Sequence, residues 1–193
     1  GRRRGTRLAG GAGEGGGLWR AYGDAVEDRP CRLFTLLGPA GIGKSRLVAD
    51  FLERVGDSAD VLRGRCLSYG DGITYWPLRD AIRDSSAIEE RDAVLAALEA
   101  ETPPPAREIA LLFRQLCETL ARERPLVLVF DDVHWAEPTV LELLELVAER
   151  AEGPILVVSI AREELLEERP DYLGGRGNVD RMVLNPLSRE ETE

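Results

Sequence analysis

Hydrophobic positions along the chain alternate between short apolar runs and longer stretches with helical spacing. Arg32–Leu37, Leu126–Phe130 and Pro154–Ile160 are apolar at nearly every position. Such runs read as strands buried on both faces rather than half-solvated ones. Asp60–Cys66 and Arg181–Leu184 complete five predicted strands. Between them, Leu18–Asp28 places Leu18, Trp19, Tyr22, Ala25 and Val26 on one side of a helix, and Lys44–Val55 does so with Leu47, Val48, Phe51 and Leu52. Further helices are predicted from Pro77 to about Ser85, over Ile88–Ala100, from Pro105 with Ile109, Leu112, Phe113, Leu116 and Leu120 inward, and over Pro138–Ala151. Proline at the first helical turn favours three of these starts. Strands alternating with helices predict an α/β fold whose parallel sheet is covered on both faces. No repeat of solenoid length is visible.

Residues 1–17 hold eight glycines and almost nothing to bury. They read as a flexible leader, and residues 18–193 as one core, which is ordinary for a chain of 193 residues. No apolar run approaches a membrane span, and none of signal-peptide length follows the basic start, so the expected location is the cytoplasm. The net charge is −10, and four arginines with no acid lie in residues 1–7, so the rest of the chain is more acidic still. An acidic body is a poor platform for phosphate backbones, so direct nucleic-acid contact by this segment is not expected. Cys31, Cys66 and Cys117 are widely spaced beside a single histidine, which fits buried free thiols rather than a metal site or disulfide framework.

One count points to chemistry. Of 25 basic residues, only Lys44 is lysine, and it lies in Gly38-Pro39-Ala40-Gly41-Ile42-Gly43-Lys44-Ser45-Arg46, between a predicted strand and a predicted helix. Glycines here let the backbone approach a phosphate, and the N–H groups that follow form an anion nest at a helix N-terminus. A compact ammonium is then needed where an arginine fork would not serve. In this reading Lys44 reaches the β- and γ-phosphates and the Ser45 hydroxyl ligates Mg²⁺. Asp131 and Asp132 end the third strand, at the sheet edge where α/β folds bind ligands. Asp131 would hold Mg²⁺ through its water shell, and Asp132 would orient or deprotonate an attacking water. Arg162 ends the fourth strand and would sense the γ-phosphate. The lone imidazole, His134, has no serine or cysteine beside it in a nucleophile motif and reads as a structural or loop-switch residue. Tyr69, Tyr75 and Trp76 surround Gly70-Asp71-Gly72 and read as loop packing in preference to base stacking.

Several longer segments carry a resemblance: Leu36 to Leu47 around the glycine loop, Arg63-Gly64-Arg65-Cys66, and Gly72-Ile73-Thr74-Tyr75-Trp76-Pro77-Leu78. Phe130-Asp131-Asp132-Val133-His134-Trp135-Ala136, Ala161-Arg162 and Asn185-Pro186-Leu187-Ser188 complete the set. On these the chain resembles the signal-transduction ATPases with numerous domains (STAND), within the AAA-like P-loop group. It looks most like the ATPase module of large bacterial LuxR-type transcriptional regulators and multidomain adenylate/guanylate cyclases. The resemblance implies a three-layer P-loop NTPase sandwich with a five-stranded parallel sheet in the order 5-1-4-3-2. It implies ATP with Mg²⁺, slow hydrolysis, and a nucleotide-dependent switch acting on other domains of the same polypeptide; nucleotide-dependent self-association is compatible with it. Relatives carry a Gly-Arg-Glu motif near the adenine, whereas Leu8–Ala12 here has neither the Arg nor the Glu. The lid domains that close over ATP in such proteins are expected to lie outside this core. A small-molecule kinase, a DNA-handling AAA-type ATPase and a non-hydrolysing interaction module are the alternatives.

Overall fold

The computed structural model describes residues 15–28, 30–68, 74–172 and 178–185. Residues 1–14, Tyr69 with Gly70–Ile73, and Pro186-Leu187-Ser188 lie outside the described residues, and so do the expectations placed on them. The strands are β1 (Arg32–Leu37), β2 (Asp60–Arg65), β3 (Leu126–Asp131), β4 (Ile155–Ala161) and β5 (Val179–Val183). The helices are α1 (Gly16–Asp28), α2 (Lys44–Val55), α3 (Trp76–Ile82), α4 (Ile88–Glu99), α5 (Ala106–Ala121), α6 (Pro138–Arg150) and α7 (Glu164–Glu168). Two short 3-10 turns, Gly56–Ser58 and Val133–Trp135, complete the described elements.

All five strands run parallel in the order β2-β3-β4-β1-β5, the expected order read from the other edge. The pleat explains why the central strands are apolar throughout. Leu126, Leu128 and Phe130 face one core, with Ile155 and Val157 from the next strand. Val127 and Val129 face the other, with Leu156, Val158 and Ile160. Successive side chains in a strand point to opposite faces, so covering both faces demands hydrophobicity at both parities.

Helices α3, α4, α5 and α6 bury their apolar sides over the larger core. On the opposite face, α1 supplies Leu18, Ala21 and Ala25, and α2 supplies Val48, Phe51 and Val55. Trp19 and Tyr22 meet Phe51 edge-on, with ring centroids 5.0 and 5.7 Å away. The hydrophobic pattern of α1 therefore holds, except that Ala21 is inside while Val26 is exposed. The helix also begins at Gly16, two residues before the expected Leu18. At position 17 a Cβ would meet the Met182 side chain at 2.7 Å, so a residue without one lets α1 lie close to β5.

Parallel strands bring every C-terminal end to one edge. Leu37 pairs with both Ala161 and Val183, and Arg65 pairs with Asp131. Residues following β1, β3 and β4 in sequence thereby become spatial neighbours. All three cysteines are buried and free.

Candidate functional site

The glycine loop leaves the end of β1 and enters α2. Gly41 and Gly43 hold φ of 78° and 105°, a left-handed backbone that glycine adopts without a Cβ penalty. Gly38 has a different reason to be glycine. A Cβ there would come within 2.8 Å of the Leu184 carbonyl oxygen, because the chain after β5 is held to β1 by Leu184 N–H donating to Leu37 O at 2.8 Å.

Helix α2 starts with no side-chain cap. Its first N–H groups have no partner within the helix, and the helix dipole adds positive potential there, so the loop fits an anion. Lys44 Nζ donates to the carbonyls of Gly38 at 2.6 Å and Pro39 at 2.8 Å, folding the ammonium over the loop. Ser45 and Arg46, the next two residues of α2, are exposed. Pro39 and Ala40 are exposed on the loop crest, and Ile42 is half-buried against the smaller core.

Asp131 is the last residue of β3, and its Oδ1 accepts from Asp132 N–H at 3.0 Å. Asp132 follows with φ 55°, the one described non-glycine residue at positive φ. That kink starts the 3-10 turn, in which Trp135 N–H donates to Asp132 O and Ala136 N–H to Val133 O, both at 2.9 Å. Asp132 itself accepts from Arg65 at the end of β2, from Nε and Nη2 at 3.0 Å each. Arg162, next after β4, donates its backbone N–H to His134 Nδ1 at 3.2 Å.

Electrostatics treat these groups as one neighbourhood. Burial, and then the adjacent Arg162 charge, hold the Lys44 ammonium below its ordinary value, while Asp132, Asp131 and Glu164 pull it upward. Burial likewise holds His134 below its ordinary value, with Asp132 and Glu164 opposing and Arg162 and Lys44 assisting. The structure thus brings together Lys44, Asp131, Asp132, His134 and Arg162, all singled out from sequence. Arg65 and Glu164 join them without having been assigned a role. The sequence signal for Arg65 was its place at a strand end, the same signal that marked Asp131 and Arg162.

Trp76 opens α3 and Tyr75 immediately precedes it. Tyr75 packs against the larger core, and Thr74 Oγ1 donates to Glu137 Oε2 at 2.8 Å, tying this segment to the start of α6. For Tyr75 the core contact is in line with the packing expected of it. Beside the glycine loop lies a cavity of about 410 Å³, lined by Trp19, Ile42, Arg46, Asp50, Phe51 and Leu184 among others. The glycine-loop motif marked only the wall made by Ile42, Gly43 and Arg46; the rest comes from the start of α1, from further along α2 and from Leu184.

A parallel sheet in this order, with a glycine loop and lysine after β1 and paired acids at the end of β3, defines a P-loop ATPase-type domain. The chain matches the family described as AAA ATPase domain over residues 16–158. It belongs to that family, and membership implies nucleotide binding. It is 30% identical over 213 aligned positions to an uncharacterized protein of Rhizobium meliloti, covering 92% of this chain and 20% of that protein. The chain therefore spans about a fifth of the curated relative it matches.

Among solved structures it resembles Cdc6p from Pyrobaculum aerophilum, at TM-score 0.59 and 17% identity over 96% of this chain and 48% of that one. Drosophila ORC bound to DNA gives TM-score 0.59 and 18% identity, covering 90% and 42%. A STAND protein with a tetratricopeptide repeat sensor from Pyrococcus horikoshii gives 0.51 and 16%, covering 89% and 23%. At these identities the likeness is one of fold.

Proposed function

We propose that this domain is an Mg-ATP-binding, slowly hydrolysing switch within a larger cytoplasmic signalling or transcription-regulating protein of the STAND class. The observation that carries the reading is the convergence of Lys44, Asp131, Asp132 and Arg162 on one sheet edge beside an uncapped helix N-terminus. Residues Gly38 to Arg46 would cradle the phosphates, with Lys44 leaving its loop carbonyls for the β- and γ-phosphates. Ser45 and Asp131 would hold Mg²⁺, which supplies neutralisation of charge developing on the phosphates. Asp132 would orient the attacking water, and Arg162 would read the γ-phosphate. The cavity bordered by Trp19, Phe51 and Leu184, with Arg46, Asp50 and Arg54 also on its wall, offers a place for the base. Among the described residues, no helix is long and apolar enough to cross a membrane.

The arrangement supports a switch. A γ-phosphate adds negative charge amid Lys44, Arg162 and Arg65, and biases these strand-end segments between two arrangements that neighbouring domains can read. Such neighbours, ATP and ADP are the proposed partners, and nucleotide-dependent self-association fits the same scheme.

Mg-ATP should bind the wild-type protein far more tightly than a Lys44→Ala variant, and equal binding would sink the reading. Asp132→Asn should keep ATP and lose turnover; asparagine tolerates the left-handed backbone at this position much as aspartate does, so the substitution isolates the carboxylate. A second reading, a DNA-handling ATPase, draws on the shared fold with Cdc6p and with ORC bound to DNA. Turnover stimulated by DNA would favour it, and the net charge of −10 argues against it. Acceptor-dependent ADP release would instead favour a small-molecule kinase.

A further inference from the structure

The ladder joining β3 to β4 ends at the pair Phe130–Ser159. Beyond it the two strands carry their functional groups onward separately, Asp131 and Asp132 on one and Arg162 on the other. One described hydrogen bond bridges this gap. It runs from Arg162 N–H to His134 Nδ1, across 28 residues of sequence.

The acceptor role fixes the state of the ring. A nitrogen that accepts carries no proton, so the neutral imidazole bears its hydrogen on Nε2. Nε2 is buried and finds no hydrogen-bond partner among the described residues. The ring is thus oriented by its single bond to Arg162, by the 3-10 turn that carries it, and by contact with the Trp135 ring, 5.1 Å between centroids. Arg162 is held on its other side as well, because its carbonyl accepts from Leu165 N–H at 3.2 Å at the start of α7. The same turn begins at Asp132, whose carbonyl accepts from Trp135 N–H. Asp132 and the Arg162 backbone are therefore both anchored to one short rigid segment.

We propose that His134 is a positioning residue, locking the backbone of Arg162 to the turn that carries Asp132 so that the water-facing and phosphate-facing arms of the site move as one body. This rests on the ATPase reading above for its functional consequence, though not for its geometry. His134 touches neither nucleotide nor water in this scheme. It acts through Arg162 alone.

The chain has one histidine, so imidazole nitrogen NMR reports this residue without assignment. The wild-type protein at neutral pH should show an unprotonated Nδ1 and a protonated Nε2. The Arg162 amide should exchange slowly with solvent, and faster in His134→Leu. A proton on Nδ1, or an Arg162 amide indifferent to His134→Leu, overturns the proposal whatever the protein does to ATP. Asparagine sets its Oδ1 at the place of Nδ1, whereas glutamine sets its acceptor one bond further out. His134→Asn should therefore keep amide protection and turnover, while His134→Leu and His134→Gln lose about tenfold or more in kcat with ATP affinity nearly unchanged, the pattern of an interaction made for the transition state. Equal turnover in wild type and His134→Leu, or an Asn variant as impaired as Leu, overturns it too. If wild-type protein binds Mg-ATP but hydrolyses none, the ATPase reading fails, and the tautomer and amide-exchange results still decide the link itself.

Discussion

Arg65 donates from both Nε and Nη2 to a single oxygen of Asp132, Oδ2, each at 3.0 Å. The partners are 67 residues apart and meet because Arg65 pairs with Asp131 in the β2–β3 register. This is the carboxylate proposed to orient water, and here a cation from the edge strand occupies one of its oxygens. The Arg65 side chain is 68% exposed, so the pair adds about 1 kcal/mol or less to folding. Its weight falls on the site. Arg65→Gln should leave the thermal midpoint nearly unchanged and raise basal ATP turnover, because the freed carboxylate becomes a better acceptor for a water proton. Steady-state ADP release at saturating Mg-ATP measures this. A fall in turnover would mean that Arg65 assists the reaction instead of restraining it.

Position 64 tests the packing beneath that pair. Gly64 is buried in β2, and a Cβ added there would press into the carbonyl oxygen of Pro77 and lie 3.2 Å from the Phe130 ring. The Pro77 oxygen is backbone in the first turn of α3, so it cannot swing aside as a side-chain tip would. Gly64→Ala should cost on the order of 1–3 kcal/mol, the usual scale of overpacking. Urea unfolding of the two proteins compares them, and an unchanged midpoint would show that α3 is free to move off the sheet.

The central strands were legible in sequence because burial on both faces writes an unbroken apolar run. Edge strands are written less clearly. β5 was expected at Arg181–Leu184 and occupies Val179–Val183, since pairing with β1 recruits Val179 and Asp180, the second despite its polarity. Arg32 rewards the shift with an ion pair to Asp180 at 3.6 Å. Helix α7 and the 3-10 turn after Asp132 are too short to show a period. Lys44, Asp131, Asp132 and Arg162 could be read because each follows a strand or sits in a glycine loop, and a parallel sheet gathers strand ends. The partners of Asp132 and of the Arg162 backbone could not. They depend on the registers of separate strand pairs, which the hydrophobic pattern does not encode.

Histidine 134 should leave a signature in the pH dependence of stability. Burial is the largest cause of its lowered pKa, and the facing charges of Asp132, Arg162, Glu164 and Lys44 act in both directions. The unfolded chain, with an ordinary value of 6.5, therefore takes up the proton before the folded chain does. Stability from this group is fully present above pH 6.5 and is lost as pH falls through the lower folded value. Thermal midpoints of wild type and His134→Asn should run parallel above neutrality, with wild type losing ground below about pH 6.5. Parallel curves throughout would show that the ring titrates as in water.

The three thiols give a last test, one of the core rather than the site. Burial pushes the Cys31 and Cys66 thiols up to about 12 each, with Glu118 adding at the first and Asp132 and Asp131 at the second. Cys117 is raised well above its ordinary value, again by burial first. Only the thiolate attacks a disulfide reagent, and burial keeps all three thiols almost wholly protonated at pH 8. Native protein should show no rapid reaction with an aromatic disulfide reagent. In denaturant all three cysteines should react, as the sequence count requires. A prompt single equivalent in the native state would point to Cys66, which follows β2 directly and donates its backbone N–H to Asp131 O at 2.9 Å. It would mean that the β2 edge opens in solution, and the Arg65–Asp132 pair would then open with it.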